Sequence, residues 1–388
     1  MPFLATPMAT ETRLKPDRSR ARASVAGMPL AGFRCIELCW VWSGPMVGQI
    51  LADLGAEVIK VESRNRFDLY RTRGLEHLRG KTHEKTRIES SIYFHSLNRN
   101  KFGLSLDLKN PPALAAMHDL LRRSDLVMEN FTVGTMERLG LATDDIGTAN
   151  PALVSLSMSG PGRGCAVEAL RSYGLVLSAL GGAEVGIGDD TGFLGSPTFS
   201  LSDPNAAVFA AMAALAGAIK ARKTGVGSAI DLSQIEASAT LAGSPRPTAS
   251  RHEAIVETAD GVYLAISIPL SAFDTVDAMR RAFANLDEAA AHAKSVNLGG
   301  EAIAMVELEA SDLAPAFNDC SGWVQSSHPY SGDERLVAAP WRIHGNRPPI
   351  RKPAPSLGES NDYVLRGILG LGDTEISALQ KHEQETAA

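Results

Sequence analysis

Cysteine is scarce: Cys35, Cys39, Cys165 and Cys320 are the four in 388 residues. A secreted disulfide scaffold is far denser in cysteine, and the Cys35/Cys39 spacing has neither a second pair nor neighbouring histidines to complete a zinc site. Free thiols in a reducing cytoplasm are the expectation, with no metal. An excess of positive charge is missing too: 38 Lys+Arg stand against 44 Asp+Glu, a net −6. No domain-length stretch is strongly basic, so no nucleic acid partner is expected. The longest apolar run, residues 204–219, falls short of the roughly 20 residues of a bilayer span and is alanine-rich, so no membrane partner is expected. Residues 1–27 carry Arg13, Lys15, Arg18, Arg20 and Arg22 but no apolar core. They read as a disordered extension rather than a secretory signal, with Met28 a second plausible start.

What is present is ordinary for a globular chain: 44% apolar and 21% charged residues. At about 100 to 200 residues per domain, the length allows two domains. Strand patterns at residues 33–39, 57–62, 104–108, 126–128 and 153–158 alternate with helical patterns at 45–54, 112–123 and 134–139. That alternation predicts a mainly parallel sheet with helices on both faces. A helix follows near 173–180, then a glycine-rich stretch at 181–195, a long helix at 204–220, a strand at 229–232 and a helix at 233–241. Residues 243–248 read as a linker. A hairpin turning at Asp260-Gly261 and helices over much of 271–308 mark a smaller α+β domain, with weaker strands towards Arg342 and tail helices at 361–369 and 373–382.

The local motifs exclude more than they assign. The first βα turn, Trp40-Val-Trp-Ser-Gly-Pro45, lacks the glycine pair of a dinucleotide fingerprint. Gly160-Pro-Gly-Arg-Gly164 lacks the Lys-Ser/Thr of a P-loop, and Ser159 does not sit in a Gly-x-Ser-x-Gly elbow. Glu62 ends a strand, where it is either a ribose-binding acid or a solvated carboxylate. Asp203 precedes Pro204 and the long apolar helix. It reads either as an N-cap or as a nucleophile kept ionised by the helix dipole, and the local sequence does not separate the two.

A longer set of strings is more specific. Gly44-Pro45, Leu51-Ala-Asp-Leu-Gly-Ala-Glu-Val-Ile-Lys-Val-Glu62, Asn98-Arg-Asn-Lys101, Leu104-Ser-Leu-Asp-Leu-Lys109, Glu129-Asn-Phe131, Arg138-Leu-Gly140, Ser157-Met-Ser-Gly160, Lys223-Thr-Gly225, Ile230-Asp-Leu-Ser233 and Pro355-Ser-Leu-Gly-Glu359 occur in that order. In this the chain resembles the family III CoA-transferases, the CaiB/BaiF family. The resemblance implies an α/β fold: a Rossmann-like large domain over 28–242 that binds CoA, a small α+β domain over 243–345, and a segment over 346–388 that returns to the large domain. It also implies a homodimer of interlocked rings. Asp203 takes the place of the family's catalytic carboxylate. Val41, Trp42 and Ser43 would line the CoA channel, with Leu106, Lys109, Asn130, Phe131, Arg138, Arg171 and Tyr173 near CoA. Acyl-CoA and a carboxylic acid would be substrates, with no tightly bound cofactor.

There are departures from the family pattern. Where some members place an arginine after the Glu62 strand, this chain has Ser63, with Arg64 or its neighbour Arg66 to serve instead. The His-Asp of the family's racemases is Tyr173-Gly174 here, and the glycine-rich loop of formyl-CoA transferases has no counterpart at 243–251. CoA transfer is therefore the expected activity. A racemase using Asp203 as base at Cα and a CoA-ester binder without catalysis are the alternatives.

Overall fold

The structure is a computed structural model, which describes residues 25–75, 84–183, 188–189, 192–193, 201–242, 251–305 and 322–386. Residues 1–24 of the N-terminal extension, the linker at 243–248, Cys320, and most of the glycine-rich stretch lie outside the described residues. The chain divides into two compact units, Met1–Ala242 with Trp323–Ala388, and Gly243–Gly322.

The first unit is built on alternating strands and helices: β1 (Arg34–Leu38), α1 (Ser43–Asp53), β2 (Glu57–Glu62), α2 (Ile92–Asn98), β3 (Phe102–Ser105), α3 (Pro111–Arg122) and β4 (Leu126–Glu129). Next come α4 (Thr135–Arg138), β5 (Val154–Ser159), α5 (Gly174–Leu180), α6 (Ser202–Thr224), β6 (Ser228–Ser233) and α7 (Gln234–Ala239). The six strands lie in the order β3-β2-β1-β4-β5-β6, every pair parallel. This is the doubly wound order, in which the direction of winding reverses between β1 and β4. Strand periodicity explains the two layers. Cys35, Val58 and Met128 pack under α1 and α6, while Ile36, Ile59 and Val127 pack under α3 and the C-terminal helices.

Several elements differ from expectation. The third strand spans Phe102–Ser105 rather than 104–108. Beyond it Asp107 turns the chain, its Oδ1 accepting from the Lys109 amide at 3.1 Å and its carbonyl from the Asn110 amide at 2.9 Å. Helix α2 escaped the sequence reading because it is short. Helix α6 runs for 23 residues, longer than the apolar run at 204–219 suggests, and by length and composition alone it is long and apolar enough to cross a membrane, a property that buried core helices share. Within the unit its alanines, Ala206, Ala207, Ala210, Ala211, Ala214 and Ala218, are buried against α1 and the sheet.

The second unit has a three-stranded antiparallel sheet of β7 (Arg251–Glu257), β8 (Tyr263–Pro269) and β9 (Glu301–Ala304), with α8 (Val276–Phe283) and α9 (Glu288–Asn297). The hairpin turns at Asp260-Gly261, where Gly261 supplies a φ of 82°. Strand β9 occupies a stretch expected to be helical. Its alternating exposure, with Ala302 and Ala304 packed on the core, shows the two-residue period that so short a segment conceals.

The return to the first unit begins at Trp323, where the sequence reading had placed it at 346. A hairpin of β10 (Trp323–His328) and β11 (Gly332–Val337) docks on α2. His95 and His328 stack with ring centroids 3.8 Å apart, His95 Nδ1 lies 2.6 Å from Glu334 Oε1, and Arg99 donates to the Val337 carbonyl at 2.6 Å. The tail continues through a π-helical turn at Asp362–Ile368 and a last helix at Asp373–Thr386.

The docked hairpin makes stability sensitive to acid. Burial and the adjacent His95 hold the His328 imidazole down at about 4 from 6.5, against the pull of Glu334 and the Ala354 carbonyl. The unfolded chain therefore binds this proton first, and stability is lost as pH falls from about 6.5 towards 4. For Glu334, burial alone would raise the carboxyl, but the bonds from His95 and Ser331 override it and hold it low. Its contribution is lost on the same side. We expect the urea midpoint to fall between pH 7 and pH 4.5, with a shallower slope in His328→Gln; equal slopes would remove His328 from the account.

Candidate active site

In a doubly wound sheet the loops at the carboxyl ends of the strands diverge where the winding reverses, leaving a crevice. A cleft of about 800 Å³ opens there, and all six strands contribute to it. Leu38 and the turn 40–43 follow β1, Val61, Glu62 and Ser63 end β2, and Leu106 and Lys109 follow β3. Asn130 and Phe131 follow β4, Ser159 and Gly160 end β5, and Gln234 follows β6.

The turn after β1 is the most constrained part of this wall. Val41 has a φ of 70°, a left-handed conformation that a β-branched residue adopts only under compulsion. Its amide donates to Asp68 Oδ1 at 2.9 Å. The Asn130 side chain brackets the preceding residue, accepting from the Trp40 amide at 2.9 Å and donating to its carbonyl at 2.8 Å. Phe131 meets Trp40 edge to face with centroids 5.8 Å apart. Phe131 is itself set by its amide, which donates to Glu129 Oε2 at 2.6 Å.

Asp203 also lines the cleft. Helix α6 starts at Ser202 with Leu201 at the cap, so Asp203 sits in the first turn and not at the N-cap. There it lies close to backbone N–H groups that have no carbonyl partner within the helix. The start of α6 is moored by Ser202, which donates from Oγ to the Gly174 carbonyl at 2.8 Å and from its amide to Ser178 Oγ at 3.3 Å. Asp203 is half-buried.

Cationic side chains share the cleft with this carboxylate. Lys109, Arg138, Arg171 and Arg66 all line the cleft and are exposed. Arg138 also donates to Thr135 Oγ1 of its own helix at 2.7 Å. Tyr173 is 66% exposed, leaving its ring open to the cleft. Arg64 is the exception among the expected residues: it is not part of the cleft lining, whereas Arg66, paired with Ser63 in a tight turn, is. Val41, Trp42, Ser43, Leu106, Lys109, Asn130, Phe131, Arg138, Arg171, Tyr173 and Asp203 are brought together.

The geometry corrects the expectation for Glu62 and adds Tyr70 and Gln234. Glu62 is neither solvated nor available to a ribose. It is buried, and Arg71 grips it in two bonds of 2.9 and 2.8 Å. Burial alone would raise its carboxyl, but the Arg71 guanidinium overrides that and holds it low. Tyr70 is buried, its hydroxyl pushed up to about 12 by burial, against Arg73 and with help from the Asp203 and Asp68 carboxylates. Gln234 is 7% exposed on the cleft wall, and its Oε1 has no hydrogen-bond partner among the described residues. The one available signal was a lysine inside an otherwise apolar strand, Val58-Ile-Lys-Val61, which announces a buried counter-charge. No group of three His, Cys, Asp or Glu side chains is placed to hold a metal among the described residues.

Residues 30–294 match the family model described as CoA-transferase family III. The chain belongs to CoA-transferase family III. Relatives include the succinyl-CoA–D-citramalate CoA-transferase of Chloroflexus aurantiacus, 34% identical over 56% of this chain and 52% of that protein. The succinate–glutarate CoA-transferase of Agrobacterium fabrum is 31% identical over 60% of this chain and 62% of its own length. The chain thus spans about half to three-fifths of these relatives. Among solved structures, a CaiB/BaiF family protein from Brucella suis superposes with a TM-score of 0.72 at 21% identity, covering 88% of this chain and 99% of that one. At that identity the likeness concerns the family III fold.

Proposed function

We propose that this family III member moves CoA from an acyl-CoA donor to a free carboxylic acid, with Asp203 as the nucleophile. The observation that carries the reading is the position of Asp203: a carboxylate in the first turn of α6, facing a cleft at the strand ends that is rimmed by Lys109, Arg138, Arg171 and Arg66. Exposed guanidinium and ammonium groups suit the phosphates of a CoA nucleotide. The turn at 41–43 and Tyr173 would then flank the pantetheine arm.

The chemistry follows from the carboxylate. An Asp203 oxygen attacks the donor thioester carbonyl, the C–S bond breaks, and CoA leaves as thiolate from an aspartyl mixed anhydride. The thiolate attacks the aspartyl carbonyl, releasing the donor acid and leaving an aspartyl-CoA thioester. The acceptor carboxylate attacks that carbonyl in turn, expelling thiolate, which takes the acceptor acyl group and frees Asp203. Each intermediate keeps an activated acyl bond, so the exchange is close to isoenergetic and requires no ATP. Backbone N–H groups at the start of α6 are placed to receive the oxyanions.

The relatives' names point to short dicarboxylic acids, so succinyl-CoA with glutarate or citramalate heads the substrate panel. A homodimer belongs to the same reading, and the apolar stripe that α6 leaves exposed, Val208, Met212 and Ile219, supports it as a surface for a second copy. The test is intact-protein mass spectrometry after mixing with a panel of acyl-CoAs, with hydroxylamine to intercept activated acyl bonds. A donor-dependent acyl or CoA adduct cleared by hydroxylamine is expected. Exchange of the Cα proton with no adduct from any donor would replace this reading with an isomerase.

A further inference from the structure

The turn that walls the cleft is held from behind by a buried group of charges that the proposed chemistry does not use. Glu37, Lys60, Asp68 and Lys101 are each fully buried, and together they are neutral. Lys60 lies 3.0 Å from both Glu37 Oε1 and Asp68 Oδ2, and Lys101 lies 2.7 Å from Glu37 Oε2. Three of them also bond to the turn. Lys60 donates to the Cys39 carbonyl at 2.7 Å, where the turn begins, and Lys101 to the Pro45 carbonyl at 2.8 Å, where it ends. Asp68 Oδ1 accepts from Val41 at the centre of the turn and, at 3.0 Å, from the Tyr70 amide. Asp68 is fixed in turn by its own amide, which donates to Glu62 Oε1 at 2.9 Å.

We propose that Asp68 is a positioning residue for the ligand: it holds Val41 left-handed, and so fixes the wall formed by Val41, Trp42 and Ser43 at the spacing that CoA requires. This rests on the CoA-transferase reading of the cleft. The physical argument is the strain at Val41. A valine at a φ of 70° relaxes to a negative φ unless a contact opposes it. The contact at the amide is a carboxylate with no access to solvent, its other oxygen 3.0 Å from the Lys60 ammonium. Moving the turn by one ångström is enough to cost about a hundredfold in a reaction that depends on alignment. The same Asp68 oxygen also accepts from the Tyr70 amide, which ties the segment after Asp68 to the turn.

The test compares two variants that remove the buried charge pair together and differ only in the acceptor. Asp68→Asn with Lys60→Met keeps an amide oxygen facing Val41, whereas Asp68→Ala with Lys60→Met does not. The first readout is CoA affinity by calorimetry, which needs no turnover and is independent of the nucleophile reading. We expect the Asn pair to bind CoA within about threefold of wild type and the Ala pair at least about tenfold more weakly, a difference of about 1.4 kcal/mol. Adding Val41→Gly to the Ala pair should recover most of the loss, because glycine holds a positive φ without help. Equal affinities in the two pairs, or no recovery with glycine, would overturn the proposal. A second readout uses the wild-type protein: the Val41 amide should exchange hydrogen as slowly as the core strands, and rapid exchange would overturn it even where a variant fails to fold. If CoA binds as expected while no donor forms an adduct, the transferase reading fails and the positioning role stands.

Discussion

Replacing Asp203 by alanine should lower turnover by on the order of 10⁴-fold or more while leaving the fold in place. Removal of a nucleophile leaves only the catalysis that binding and oxyanion donors supply, which is why such losses are large and do not add to those of neighbouring groups. The structural cost is small because Asp203 is half-buried in a first helical turn and is not the cap of α6. A carboxylate near a helix N-terminus contributes about 0.3–1 kcal/mol. Steady-state kinetics and thermal melting on the same preparation separate the two effects. Asp203→Glu should also be strongly impaired, by about a hundredfold, since one methylene moves the attacking oxygen by about an ångström. Retention of a hydroxylamine-sensitive adduct in Asp203→Ala would transfer the nucleophile's role to another residue.

Glu37→Gln should destabilise the protein by about 3–5 kcal/mol, the range observed when one member of a buried ion pair is removed. The exchange is isosteric, so packing is not at issue. Lys60 retains Asp68, but Lys101 is left with the Pro45 carbonyl and Asn98 Oδ1, neither of which carries charge. The close approach of α1 to this carboxylate adds to the constraint: a Cβ at Gly48 would stand 1.8 Å from Glu37 Oε2. Equilibrium urea unfolding at unchanged m reads the loss directly. Glu37→Gln combined with Lys101→Met should recover a large part of it, because the uncompensated ammonium is removed with its partner. A stability equal to wild type in the single variant would mean that Lys101 is neutral in the folded chain.

The sheet was legible in the sequence because its strands are short apolar runs separated by helical periods, the pattern of strands buried on both faces. The hairpin at Asp260-Gly261 was legible because its turn needs a residue that accepts a positive φ. Strand β9 and helix α2 were not, since four and seven residues give too few periods to separate one pattern from another. Asp203 was legible as a carboxylate before an apolar helix, and the order of short strings along the chain pointed to its family. Whether it caps the helix or faces a cleft was undecided until the start of α6 was placed against Gly174 and Ser178.

The choice between Arg64 and Arg66 was a matter of one tight turn. Glu62 read as a strand-end acid because its partner, Arg71, is nine residues on, in a segment with no regular period. Local sequence determined the elements and the chemical groups available, because propensity and periodicity act over a few residues. The strand order, the burial of Glu37, Lys60, Asp68 and Lys101, and the left-handed Val41 were decided only by tertiary structure. Charges leave water only where distant segments supply their counter-charges, and those segments meet only when the sheet has formed.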